Sequence, residues 1–128
     1  MILYIDTSTP VCKLTFTGGT VELERSWEAG RKLSLGLLSF IQDSLHEAGT
    51  DWAGIAGIVV FRGPGSFTGL RIGASVMNAL ANARNISIVG TAGDEWKQLG
   101  CTRLEAGESD QVVIPDYGAD ANITTPRK

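Results

Sequence analysis

The feature that most constrains the fold is a glycine-rich stretch at residues 62–73, which lies between an apolar run and a helical pattern. The run at residues 55–61 is apolar throughout, which indicates a buried strand. Residues 68–83 then follow a helical periodicity. Gly63, Gly65 and Gly69 permit positive φ or close backbone approach, and Pro64 fixes one φ between them. The stretch therefore predicts a strand, a tight turn and a helix in direct succession.

The predicted turn has two interpretations. The free N–H groups at the start of a helix can hold an anion, and Gly63, Gly65 and Ser66 are the candidate binding residues. Alternatively, Ser66 or Thr68 caps the helix in a connection without a ligand, the more common use of glycine-rich turns. The stretch lacks the lysine of a P-loop, the third glycine of a dinucleotide fingerprint, and the glycine that precedes a nucleophile elbow. Both interpretations stay open.

The helix after the turn is unusually apolar. One narrow stripe is polar, and it consists of Arg71, Ser75, Asn78, Asn82 and Asn85. The other positions are apolar or small, and no charge lies between Arg71 and Arg84. A surface helix needs an apolar arc of about 100° to cover a sheet, and this arc is about twice as wide. The helix is therefore either enclosed by its own domain or packed against a partner subunit.

The order of the remaining patterns predicts an α/β fold. Five strands are expected, at residues 2–5, 11–17, 20–27, 55–61 and 86–89. Gly18-Gly19 joins the second and third strands into an antiparallel hairpin. A first helix begins at residues 30–32 and ends at Gly49. The result is a mixed five-stranded sheet with an N-terminal hairpin and crossover helices.

The pattern weakens after Gly90. Residues 94–99 predict a helical turn or two, residues 101–110 a polar loop, residues 111–114 a last strand, and residues 117–128 a tail. We therefore expect one main lobe at residues 1–100, followed by a remnant strand and tail at residues 101–128.

Several classes of function are disfavoured by composition. The net charge of −3 argues against a chain that grips nucleic acid alone. No run approaches the length of a membrane span and no signal-peptide pattern occurs, so we expect a cytoplasmic protein without membrane contact. Cys12 and Cys101 fit free thiols, and a single histidine, His46, offers little to a metal. Asp6, after the first strand, is either a Mg²⁺–phosphate contact or a turn residue.

Two motifs resemble the TsaB family, also called YeaZ: Ile-Leu-Tyr-Ile-Asp-Thr-Ser at residues 2–8 and Arg-Gly-Pro-Gly-Ser-Phe-Thr-Gly-Leu-Arg-Ile-Gly at residues 62–73. The resemblance extends to Thr91. It implies a single actin/Hsp70-like (ASKHA) lobe that serves as the non-catalytic partner of TsaD in forming N6-threonylcarbamoyladenosine at position 37 of tRNA. It also implies TsaE as an associated ATPase, tRNA contact only through the complex, and no cofactor bound by this chain alone. Binding of ATP and Mg²⁺ at a subunit boundary is an open alternative.

The resemblance further implies that the two helices pack against the matching helices of TsaD. Because the isolated chain would leave such an apolar face uncovered, we also expect it to form homodimers. The expected interface, or its immediate support, comprises Leu33, Leu37, Phe40, Leu70, Gly73, Met77 and Leu80. A Gly73→Trp change is expected to abolish this association without breaking the fold.

The chain departs from the family pattern in two places. Leu33 occupies a position where family members usually carry a histidine, and the short segment after Thr91 leads us to expect no second lobe. Because Pro115-Asp116-Tyr117 resembles the family's C-terminal motif, our hypothesis is that the second lobe is lost and the tail kept. Two other functions stay open: a nucleotide-binding phosphotransfer-type lobe, and a homodimeric scaffold unrelated to tRNA.

Overall fold

The computed structural model describes residues 1–18 and 21–116. The strands are β1 (Ile2–Asp6), β2 (Val11–Gly18), β3 (Val21–Glu28), β4 (Gly57–Phe61) and β5 (Ser87–Thr91). The helices are α1 (Leu33–Glu47), α2 (Phe67–Arg84) and α3 (Trp96–Glu105), with 3₁₀ turns at Gly30–Lys32 and Trp52–Gly54. The strands form one sheet in the order β3-β2-β1-β4-β5.

The sheet confirms the predicted mixed topology. β1, β2 and β3 pair antiparallel, whereas β4 pairs parallel with both β1 and β5. Gly18 pairs with Val21, so the predicted hairpin is present, although residues 19 and 20 of its turn lie outside the described residues. α1 connects β3 to β4, and α2 connects β4 to β5, as the predicted crossovers require.

The two faces of the sheet carry different layers. Leu3 and Ile5 of β1 join Leu37 of α1 and Met77 of α2 in the main core, where all four are almost fully buried. Because side chains alternate along a strand, Tyr4 lies on the opposite face, where it packs with residues of β4, β5 and α3. α1 and α2 therefore cover one face, and α3 covers part of the other.

Two predictions beyond β5 are wrong. The helix α3 occupies residues 96–105, where we expected a helical turn and then a loop. Gly100 is buried inside this helix, where a Cβ would lie 2.7 Å from Cγ2 of Val59, so only glycine fits without a shift. No strand forms at residues 111–114, because the Val113 main chain bonds to the side-chain amide of Asn78 instead of to a neighbouring strand.

We call residues 109–116 the strap, since they run along β5 towards the end of β4. The N–H of Asp110 donates to the carbonyl of Ile88 (2.7 Å), and the N–H of Asp116 donates to the carbonyl of Arg62 (2.7 Å). α3 crosses residue 100, where the division into lobe and tail was expected, and that division stays a prediction. The expected tail at residues 117–128 lies outside the described residues.

Among the residues that the structure describes, no helix combines the length and the apolar character that crossing a membrane requires.

Candidate functional site

The glycines of the 62–73 stretch are explained by contacts within the chain. Gly63 has φ +112°, and a Cβ there would collide with the carbonyl oxygen of Asp116. A Cβ on Gly65 would lie 2.5 Å from Cβ of Ser8, and one on Gly69 would collide with the carbonyl oxygen of Thr7. The turn after β4 is therefore pressed against the end of β1 on one side and the strap on the other.

Hydrogen bonds fix the same turn. The N–H of Ser66 donates to the carbonyl of Ser8 (2.8 Å), and Oγ of Ser66 accepts from the N–H of Gly69 (3.2 Å). Oγ1 of Thr7 donates to the carbonyl of Gly69 (2.8 Å). Ser66 is therefore the N-cap of α2, as one of the two interpretations required. These contacts account for the glycines and for Ser66 without a bound anion.

Asp6 forms a turn at the end of β1. Its Oδ1 accepts from both the N–H (2.8 Å) and the hydroxyl (2.6 Å) of Ser8. In the β1–β2 register Asp6 lies opposite Lys13. Both residues line a cavity of about 220 Å³ on the α3 side of the sheet, together with Thr15 and Lys97.

Sequence reasoning missed the two lysines of this cavity. Nζ of Lys97 donates to Oγ1 of Thr15 (3.0 Å), so α3 carries a cation to the surface of β2. The signal for Lys13 was available, because it shares a face of the predicted hairpin with Thr15. The position of Lys97 was hidden, because α3 itself was not fully predicted.

Most of the residues expected at a partner interface lie in the chain's own core. Five of them are buried between the helices and the sheet, where they support the helix layer: Leu33, Leu37, Leu70, Gly73 and Met77. Phe40 and Leu80 are half-buried, and the ring of Phe40 lies 5.3 Å from that of Trp27.

Gly73 requires a further correction. A Cβ at this position would collide with Oγ1 of Thr7 and lie 3.0 Å from its Cγ2. The expected Gly73→Trp change would therefore disrupt the packing of α2 on β1, and the idea that it spares the fold is wrong.

Much of the apolar arc of α2 is covered by this chain. Leu70 and Met77 face the sheet, and the half-buried Ile72 and Val76 pack against the same core. The strap lies against the polar stripe instead, where Asn78 binds its main chain. The chain's own domain therefore encloses most of the arc, and the outward positions of the helix stay open to a partner.

Large exposed apolar side chains occur instead at the outer surface of the helix layer. Leu35 is 88% exposed and Leu38 52% exposed on α1, and Phe67 is 58% exposed at the start of α2. The outward positions Ser75 and Ala79 of α2 are small. We call Leu35, Leu38, Ser75 and Ala79 the outer helix surface.

The described residues that could bind a metal lie apart from one another. Among the described residues no group of three or more His, Cys, Asp or Glu side chains could hold an ion. His46 is exposed near the end of α1, and Leu33 is buried. Burial, and then the charge of Asp6, raise the pKa of the free Cys12 thiol to about 12, so this thiol is a poor ligand and nucleophile.

Comparison with known proteins relates the chain to tRNA-modification proteins. A family model described as "TsaD: tRNA N6-adenosine threonylcarbamoyltransferase" matches residues 27–92. The Escherichia coli tRNA threonylcarbamoyladenosine biosynthesis protein TsaB is 32% identical over 131 aligned positions, which include 94% of this chain and 56% of that protein. A tRNA N6-adenosine threonylcarbamoyltransferase of Syntrophus aciditrophicus is 42% identical over 62 positions, which include 48% of this chain and 18% of that protein.

The fold is similar to solved structures of the same kind. YeaZ from Pseudomonas aeruginosa superposes with a TM-score of 0.66 at 32% identity, covering 71% of this chain and 43% of that one. The chain spans a little over half the length of its E. coli relative. The sheet order, the two motifs and these similarities confirm the expected single ASKHA-like lobe. The chain belongs to the TsaB (YeaZ) family, within the group that the TsaD family model describes.

Proposed function

We propose that this chain is a non-catalytic partner subunit that binds and stabilises a TsaD protein during formation of N6-threonylcarbamoyladenosine on tRNA. Membership of the TsaB family supports the pathway, and the relatives include both TsaB and TsaD proteins. The observation that carries the proposal is the outer helix surface, where Leu35 and Leu38 present large apolar side chains to solvent.

The outer helix surface suits helix-to-helix packing. Leu35 and Leu38 are three residues apart, so they project from neighbouring turns of α1. Ser75 and Ala79 are four residues apart on α2, and small side chains there leave room for a ridge of another helix. A stable contact of this kind buries about 800 Å² on each partner, an area in which two exposed leucines would be the central apolar anchors.

We also propose a homodimer in isolation, an association with TsaE and an indirect contact with tRNA. In the absence of TsaD, two copies can cover their leucines by pairing, so a homodimer is expected in isolation. TsaE is a further member of the proposed complex. Contact with tRNA is proposed through the complex only, because a chain of net charge −3 offers little attraction for phosphates.

Nucleoside analysis tests the proposed function. Depletion of this chain in its own cells should lower the N6-threonylcarbamoyladenosine content of tRNA, as measured by mass spectrometry. The wild-type chain should restore it, and a Leu35→Asp/Leu38→Asp variant should not. Gln98→Asp, at an exposed position of α3, is the matched control and should restore it fully. Unchanged modification after depletion would remove the pathway assignment and favour the scaffold unrelated to tRNA.

A nucleotide-binding lobe is the second candidate, favoured by the cavity at Asp6. There a carboxylate and two lysines, Lys13 and Lys97, surround a space of about 220 Å³, an arrangement that can hold a magnesium-bound phosphate. Calorimetry with ATP and Mg²⁺ tests it. Binding tighter than about 1 mM that Lys97→Ala weakens would support this candidate, and no heat of binding at that concentration would dismiss it.

A further inference from the structure

A cavity of about 530 Å³ lies between the C-terminal half of α2, the start of β5 and the strap. Its polar lining is made of amides and hydroxyls, from Asn78, Asn82, Asn85, Ser87, Ser109 and Gln111. Ala81, Ile86 and Val112 supply the apolar part. None of these described lining residues is charged. The volume lies within the range of ligand clefts, which is roughly 300–1,000 Å³.

Asn78 shows how this wall of α2 binds a polypeptide. Its Nδ2 donates to the carbonyl of Val113 (3.0 Å), and its Oδ1 accepts from the N–H of Val113 (2.8 Å). One side-chain amide thus satisfies both main-chain groups of one residue, as a neighbouring strand would. Val113 is buried, whereas its neighbours Val112 and Ile114 are 60% and 68% exposed.

The edge of β5 binds the same segment. Ile88 accepts from the N–H of Asp110 (2.7 Å) and donates to Oγ of Ser109 (3.2 Å), and the N–H of Gly90 donates to the carboxylate of Asp110 (2.8 Å). Ser87, one residue before this bound stretch, borders the cavity. Between this attachment and the one at Asn78 the strap turns, because Gln111 has φ +65° and the N–H of Val112 donates to the carbonyl of Asp110 (2.7 Å). The cavity therefore borders a surface that holds a main chain at two separate places.

The chemistry of the lining selects the occupant. A phosphate or carboxylate would find no cation among the described lining residues, and an apolar ligand would leave the amides without partners. A peptide main chain offers alternating donors and acceptors, which match the two functions of an asparagine amide. Asn82 repeats Asn78 one helical turn further along and is exposed at the cavity.

We propose that this cavity binds an uncharged, extended peptide segment of a partner protein, which Asn82 holds by its main chain as Asn78 holds Val113. The inference goes beyond the proposed function. The cavity lies on the β5 side of α2, whereas α1 and the outer helix surface lie elsewhere on the helix layer. Either proposal can therefore fail without the other.

A titration followed by nuclear magnetic resonance tests the proposal on the full chain. The probe is the capped peptide acetyl-Thr-Val-Thr-Val-amide, which is uncharged and favours extended structure. The side-chain amide signals of Asn82 and Asn85 should shift and saturate with peptide. Asn82→Leu should weaken binding at least about fivefold, because the two-point contact is lost. Since Asn82 is exposed, this variant should fold normally.

Two controls test whether binding depends on the position of the amide and on the charge of the peptide. Gln42→Leu makes the same kind of change at an exposed position of α1 and should leave peptide affinity unchanged. A peptide with both threonines replaced by aspartate should bind more weakly. The proposal is overturned if the Asn82 and Asn85 signals stay still at about 10 mM peptide. It is also overturned if Asn82→Leu binds as the wild type does, or if inorganic phosphate saturates the site in place of peptide.

Discussion

Replacing Gly73 with alanine probes the closest approach between α2 and the end of β1. The added Cβ would collide with Oγ1 of Thr7 and lie 3.0 Å from Cγ2 and 3.1 Å from Cβ of the same residue. Rotation of the Thr7 side chain gives no relief, because its Cβ stays in place and its other branch would then face the new methyl. Thr7 is only 3% exposed, and its hydroxyl bonds to the carbonyl of Gly69. The helix must therefore move.

The expected change in the free energy of unfolding combines two costs and one gain. Overpacking a tight contact costs about 1–3 kcal/mol, and loss of the buried hydroxyl bond costs about 1–3 kcal/mol more if it breaks. Alanine regains about 1 kcal/mol in helix propensity relative to glycine. We therefore expect Gly73→Ala to lower the free energy of unfolding by about 2 kcal/mol.

Urea unfolding followed by tryptophan fluorescence measures this change, and the chain has three tryptophans. Ser75→Ala, at an exposed position of the same helix, is the control and should change stability by less than about 0.5 kcal/mol. Thr7→Ala should cost less in the Gly73→Ala background than alone, by about 1 kcal/mol or more. Wild-type stability of Gly73→Ala would refute the close approach of α2 to β1.

Three further predictions follow from burial and charge. Leu37→Ala should lower the free energy of unfolding by about 2–5 kcal/mol, because Leu37 is fully buried. Leu35→Ala, at an exposed position, should lower it by less than about 0.5 kcal/mol. Equal urea midpoints for the two variants would contradict this difference. Hydrogen bonds from Arg103, and also one from the N–H of Gly90, lower the pKa of the Asp110 carboxyl. Asp110 therefore stabilises the fold above its unfolded pKa of about 3.9, and this stability should fade as the pH falls through the lower folded value. Urea midpoints measured against pH should show this loss for the wild type and a smaller one for Asp110→Asn. The Cys12 thiol, whose pKa is about 12, should resist a thiol reagent at pH 8 until urea unfolds the chain, and its rapid labelling in the native state would contradict its burial.

The strand, turn and helix around residues 62–73 could be predicted because local chemistry specifies them. A continuous apolar run, glycines at a tight turn and a serine N-cap each constrain the backbone within a few residues. The hairpin and the parallel crossovers follow from the order of these elements. The sheet therefore has the predicted strands and the predicted mixed topology.

The surface of the helix layer could not be predicted in the same way. The sequence shows that α2 is apolar on most sides, but the core of the chain covers much of this arc. The strap, 35 positions along the chain, binds the polar stripe through Asn78. Leu33, Leu37 and Met77 were expected at the interface or as its immediate support, and the sheet and helices bury all three. Periodicity identifies an apolar stripe, whereas long-range packing decides which part of it reaches solvent.

The errors beyond β5 arose because contacts between residues distant in sequence, rather than local sequence patterns, determine the structure there. Gly100 lies inside α3 at a place where Val59 leaves no room for a Cβ, and this contact is between residues far apart in the sequence. Residues 111–114 have the composition of a strand, but their main chain bonds to a side chain, which no local pattern encodes. Lys97 was overlooked for the same reason, since α3 brings it to β2.

The dissociation constant of this chain for the TsaD protein of its own organism tests the central claim most directly. The measurement compares the wild type, Leu35→Asp and the α3 control Gln98→Asp by calorimetry. The account predicts that Leu35→Asp weakens binding at least about tenfold while Gln98→Asp leaves it unchanged. Equal affinities for all three proteins would show that the outer helix surface is not where TsaD binds.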